Sequence, residues 1–137
     1  MNIEQVISEY FSRQTEVIAV YLFGSYADNK SRCDSDLDLA ILCESFCPEK
    51  LLGLQNKYFK ELSRVVPKNL DIVMLNRAGE LLTYEVFRQG RVIFQRNSEK
   101  RVAFQSRRIS DYLEFAPLMH RMRKGMMKKL REGQAHG

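Results

Sequence analysis

The chain has 137 residues, of which 45% are hydrophobic and 28% charged, and a formal net charge of +5. That length suits one domain with a real hydrophobic core, and the composition excludes a disordered or membrane class. No apolar run approaches the roughly 20 residues that span a bilayer, and the N-terminus lacks a signal-peptide core, so a cytoplasmic location is expected.

Ile3, Val6, Ile7, Tyr10 and Phe11 recur at helical spacing after a capping residue, Asn2, and predict a first amphipathic helix. Val17 to Phe23 is short and rich in β-branched and aromatic residues, the pattern of a buried strand. A polar loop follows, and Leu37 to Leu42 predicts a second strand. Pro48 fits the first turn of a second helix running to about Val66, with Leu51, Leu54, Tyr58, Leu62 and Val65 on one stripe. Pro67-Lys68-Asn69 breaks that helix before a third strand in the run Leu70 to Leu75. Asn76 is placed to cap a third helix that Gly90 ends, and Arg91 to Gln95 reads as a last strand. These alternating elements predict an α/β (α+β) fold, a small mixed sheet flanked by helices with a C-terminal helical tail.

Chemistry concentrates where the first strand ends. Gly24 allows unusual dihedrals and close approach of a ligand to the backbone, and Ser25 offers a hydroxyl to a phosphate oxygen. Ten residues later come Asp36-Leu37-Asp38, at the entrance of the second strand. Residues two apart on a strand share a face, roughly 6.5–7 Å apart. Two magnesium ions of a phosphoryl-transfer site sit roughly 3.5–4 Å apart, so carboxylates on that pitch can chelate one ion and reach toward a second. Asp71 is an isolated acid in an apolar run, uncommon unless paired or ligating. Converging carboxylates repel by roughly 3 kcal/mol per pair at about 5 Å and an effective dielectric near 20, so the trio calls for cations. With no His or Cys among the acids, the site favours Mg²⁺, with Mn²⁺ as the alternative, over zinc. Lys30 and Arg32 in the loop would steady phosphates or simply be solvated; Asp34, Glu85 and His120 read as surface residues. Cys33, Cys43 and Cys47 read as reduced thiols.

Charge is uneven. From residue 97 to 137 there are ten Lys and Arg against four acids, whereas the remainder carries twelve against thirteen. The expected division is therefore a nucleotide-handling domain, 1–96, and a basic helical extension, 97–137. Val102, Ile109, Tyr112, Leu113, Ala116 and Met119 suggest an apolar stripe that Pro117 should kink or interrupt. Met122, Met126, Met127 and Leu130 then lie among basic residues, a surface for an acidic partner or for RNA phosphates, or one packed on its own domain.

These residues resemble the nucleotidyltransferase superfamily related to DNA polymerase β, whose signature of Gly-Ser, a spacer, Asp-x-Asp and a later Asp fits Gly24, Ser25, Asp36, Asp38 and Asp71. The short chain and its ten-residue spacer are similar to the minimal nucleotidyltransferase (MNT) antitoxins of HEPN–MNT toxin–antitoxin modules. Asp28 departs from that family, many members of which have a basic residue there. The resemblance covers about Val17 to Phe94. It implies a polymerase β-like fold, with ATP as substrate held by Gly24 and Ser25. It implies two Mg²⁺ ions on Asp36, Asp38 and Asp71, and AMP transfer to a tyrosine hydroxyl of a cognate HEPN RNase toxin in a hetero-oligomer. The residues themselves leave two other functions open, transfer to a small molecule such as an aminoglycoside and neutralisation of a partner by contact alone.

Overall fold

The structure, a computed structural model, describes residues 2–24 and 36–135, without the side chains of residues 119, 127 and 130–135. Its elements are α1 (Ile3–Ser12), β1 (Val17–Phe23), β2 (Leu37–Cys43), α2 (Pro48–Ser63), β3 (Leu70–Met74), a 3₁₀ turn (Leu75–Arg77), α3 (Glu80–Gln89), β4 (Arg91–Gln95) and α4 (Ser98–Ala135). The four strands lie in the order β3-β2-β1-β4. β1 runs antiparallel to β2 and β4. β2 and β3 are parallel, as a helical crossover such as α2 permits.

Alternation along each strand builds two cores. Leu37, Leu39 and Ile41 of β2, with Val20 and Leu22 of β1 and Ile72 and Met74 of β3, pack against Ile7 and Phe11 of α1 and Leu51, Tyr58 and Leu62 of α2. Phe11 and Tyr58 meet edge to face at 5.4 Å. The intervening residues Ala19, Tyr21, Ala40 and Leu42 face the other way, toward Val86 of α3, with Phe104 of α4 packed against them. Each fully buried Leu, Ile or Phe contributes roughly 1.5–3 kcal/mol, so the first core dominates stability. α1 is closed at its N-terminus by a capping box, in which the Asn2 side chain accepts from the Gln5 N–H and the Gln5 side chain accepts from the Asn2 N–H.

The sheet and helix order match expectation, with three local differences. α2 ends at Ser63, and the turn after it sends Val66, not Val65, into the core. Asn76 caps no helix. It is buried, accepts from the Cys43 N–H at 2.8 Å, and donates to the carbonyls of Cys43 and Ser45 at 2.7 and 3.0 Å. An amide with both donors and acceptor engaged by β2 cannot also serve a helix start, and Gly79 precedes α3 instead. Pro117 lies inside α4, which continues through it. The carbonyl that a proline leaves unpaired belongs to the residue four earlier; that residue, Leu113, is on the exposed side of the helix, where water can satisfy it.

Arg96 ties the two ends of the domain together. Its guanidinium donates to the carbonyls of Phe11, Ser12, Gln14 and Val17, at 2.9 to 3.3 Å. A cation over the last carbonyls of α1 also complements that helix's dipole. Since charge-assisted bonds of this kind are the stronger ones, Arg96→Ala is expected to lower unfolding stability by about 2 kcal/mol in urea denaturation. Arg96→Lys should recover only part of that, because one ammonium cannot span four carbonyls.

Candidate active site

The register of β2 assembles the site. Asp38 pairs with Phe23 across the antiparallel ladder and with Asp71 across the parallel one. Neighbouring strands lie about 4.7–4.9 Å apart, so Phe23, Asp38 and Asp71 form one row over three strands. The parity that buries Leu37, Leu39 and Ile41 against α1 and α2 turns Asp38 to the opposite face. Asp38 is half-buried, whereas Asp36, just ahead of the strand, and Asp71 are exposed. Burial raises the Asp38 carboxyl above the usual carboxylate range, and the charges of Asp71 and Asp36 push it further the same way.

Gly24 completes the row. It is the residue after Phe23 and sits at φ +79°, a left-handed conformation that a side chain disfavours. A Cβ there would land on the Asp38 carboxylate, so the missing side chain is the space the carboxylate occupies. Backbone bonds brace the surroundings. The Leu37 N–H donates to the Asn69 carbonyl at 2.8 Å, fastening the start of β2 beside β3. Gln55 of α2 donates to the Ile72 carbonyl at 2.7 Å, next to Asp71. Gln55 as a positioning residue was not foreseen, since a polar residue on a helix gives no sign of which strand it reaches.

Ser25, with Asp28, Lys30, Arg32, Cys33 and Asp34, lies outside the described residues. Glu85 pairs with Arg88 at 3.0 Å on the α3 surface, as a helix-surface residue should. His120 is exposed on α4. Cys43 and Cys47 are free thiols, and burial pushes the Cys43 thiol up to about 12, which keeps it protonated and inert. Among the described residues, no three His, Cys, Asp or Glu side chains are gathered into a cage for a metal ion. The donor chemistry nevertheless fits a hard cation, because three carboxylate groups influence one another across one face and their mutual repulsion is what a divalent ion relieves.

A small mixed sheet carrying acids in such a row beside a glycine turn is the framework of an enzyme that handles nucleoside phosphates. Residues 5–99, more than half of the chain, match the family described as polymerase beta, nucleotidyltransferase, and the protein belongs to that family. Among solved structures, a crystal structure of a toxin–antitoxin with AMP-PNP aligns with a TM-score of 0.78 and 21% identity, over 92% of this chain and 99% of that one. The tri-AMPylated Shewanella oneidensis HEPN toxin in complex with MNT antitoxin aligns with a TM-score of 0.69 and 19% identity, over 91% and 99%. Spectinomycin adenyltransferase from Enterococcus faecialis, with ATP and spectinomycin, aligns at 0.50 and 12% identity, over 81% and 65%. At these identities the likeness establishes the fold. No curated protein matches the chain.

Two variants test the row. Gly24→Ala carries about 1–2 kcal/mol of backbone strain as well as the collision with Asp38, and should lower both the thermal midpoint and the affinity for an ATP analogue. Asp38→Asn should raise the thermal midpoint in chelator at neutral pH. A carboxyl whose folded pKa is raised favours the folded state while protonated and opposes it once ionised. The gain from Asp38→Asn should therefore vanish as the pH falls below the ordinary carboxylate range, which a series of melts at decreasing pH would show.

Proposed function

We propose that the protein is an adenylyltransferase that moves AMP from ATP to a tyrosine hydroxyl of a cognate HEPN RNase toxin and so acts as its antitoxin. The observation that carries this reading is Asp38 paired with Asp71 on the adjoining strand and set against Gly24 just past the end of β1, with Asp38 perturbed by both neighbouring acids. Family membership supports the reaction class. The likeness to a HEPN toxin–MNT antitoxin complex, and to a toxin–antitoxin with AMP-PNP, supports partner and nucleotide.

In this mechanism the turn at Gly24 brings backbone close to the triphosphate, and the Ser25 hydroxyl donates to one of its oxygens. Asp36, Asp38 and Asp71 are the residues that would hold two Mg²⁺ ions, or Mn²⁺. When bound, the ions supply charge neutralisation on the α-phosphate and on departing pyrophosphate. The Asp71 carboxylate, exposed at the end of the row, accepts the proton of the attacking hydroxyl. The tyrosine oxygen forms a bond to the α-phosphorus, the bond from that phosphorus to the bridging oxygen breaks, and pyrophosphate leaves with its electron pair. Orientation and fixed charge do most of the work.

A second reading, transfer to a small molecule, draws on the likeness to spectinomycin adenyltransferase. That relative is longer than the aligned fold, and the extra length is where a pocket for a small acceptor would be built. Labelled ATP and Mg²⁺ with the cognate HEPN protein, and in parallel with an aminoglycoside, distinguish the readings. Label on a tyrosine of the protein is expected, and label on neither protein would reject the reading. Asp36→Asn/Asp38→Asn should reduce transfer by at least about 100-fold, since even outer-shell partners of metal ligands are worth 10–100-fold.

A further inference from the structure

The long helix α4 divides into a part that packs closely on the domain and a part in which most described side chains are exposed. As far as Tyr112, contacts to the domain recur at each turn. Lys100 pairs with Glu44 at 2.9 Å, Gln105 accepts from the Tyr21 hydroxyl at 2.8 Å, and Phe104 packs on Phe87. Arg108 pairs with Glu80 at 3.1 Å, and Tyr112 stacks on Tyr84 with ring centroids 4.0 Å apart. Beyond that stack, Phe115, Leu118, Met122 and Met126 are 50, 48, 59 and 64% exposed. Their spacing of three, four and four residues keeps them on one side of the helix. At about 1.5 Å per residue a helix of 38 residues is roughly 57 Å long, well over twice the span of a seven-residue strand.

We infer that this far part of α4 is a docking surface for an acidic amphipathic helix of the acceptor protein, separate from the catalytic row. The inference rests on the reading above for who the acceptor is. A contiguous exposed apolar stripe on a single helix marks a contact surface. Its rim identifies the occupant. Residues 113–129 carry Arg121, Arg123, Lys124, Lys128 and Lys129 against a single acid, Glu114. A second copy of this chain would bring like charges together, which opposes self-pairing. A nucleic acid would meet the charges but leave four large apolar side chains in water. A helix with an apolar seam and acidic flanks satisfies both. The methionines allow the seam to adapt to the partner's shape. The hollow of about 280 Å³ between Leu81, Tyr112, Ala116, His120 and Arg123 lies on another side of α4, toward α3, and is not part of the stripe. α4 joins the domain near Glu44, just past the end of β2, whereas Asp38 stands near its start. The stripe includes none of the acids of the row, so substitutions in it leave Asp36, Asp38 and Asp71 in place.

The test uses the full-length chain and the purified cognate HEPN protein. Leu118→Glu/Met122→Glu should weaken the complex, measured by calorimetry, by about tenfold or more, the scale of lost interface hot spots. It should also raise the KM for the HEPN protein while the rate at saturation stays unchanged. Lys124→Glu/Lys128→Glu, which alters only exposed charge, should weaken binding too and reduce its salt dependence. Unchanged affinity in both double variants overturns the docking surface. So does a loss of binding to single-stranded RNA, or to anionic phosphatidylserine vesicles, with binding of the HEPN protein untouched. Asp36→Asn/Asp38→Asn should bind normally without transferring AMP. If the wild-type chain binds through the stripe yet labels nothing, the reaction assignment fails and the docking surface stands.

Discussion

The pairing of β2 with strands on both sides is the constraint on which the site depends. One residue of slip in either ladder would turn Asp38 into the core formed with α1 and α2 and bring a leucine to the face that now carries the acids. The slip is prevented by the same residues that stabilise the fold. Leu37, Leu39 and Ile41 are fully buried on one side, and Ala40 and Leu42 are buried on the other. Hydrophobic burial thus holds in place a carboxylate that, by its own electrostatics, would rather be elsewhere. The acids need not contribute to stability at all, because the sheet has been positioned without them.

The first core is shared by α1 and α2; the second is smaller and gathers Ile18, Tyr21, Leu42, Leu75 and Val86 around two alanines, with Phe87 and Phe104 packed against them. Asp38 alternates with the residues of the first core and so lies on the face of the second. Gly90 serves the same geometry. A Cβ there would meet the Val86 carbonyl at 2.6 Å and the Leu22 carbonyl at 3.0 Å, so its absence lets the end of α3 close against β1 just behind Phe23 and Gly24.

Much of this was legible from the chain itself. Short apolar runs marked the strands, because segments such as Val17 to Phe23 and Leu37 to Leu42 are buried on both faces and contain little else. The cap at Asn2 and the stop at Gly90 followed from local chemistry. The glycine and the acids stood out because their residue types are costly in apolar surroundings. Two of the three misreadings share a cause. Asn76 looked like a cap and Val65 like a core residue because each local pattern allows it, while the choice was made by distant contacts, the edge of β2 in one case and the turn after Ser63 in the other. Pro117 looked like a break because its lost hydrogen bond was counted without asking whether water could replace it. The row of Phe23, Asp38 and Asp71 depends on pairings between segments far apart in sequence, and no spacing rule could have supplied its register.

The bond from Gln55 to the Ile72 carbonyl bears on more than the placing of Asp71. β3 lies at the border of the sheet, and an uncovered border strand invites another chain to add itself by main-chain pairing. Occupying that carbonyl with a side-chain amide blocks one rung of any such addition. The negative charge of Asp71, one residue earlier, makes the same margin unwelcoming to an apolar strand. The margin of the sheet beside Asp71 is thereby kept from becoming a seed for aggregation.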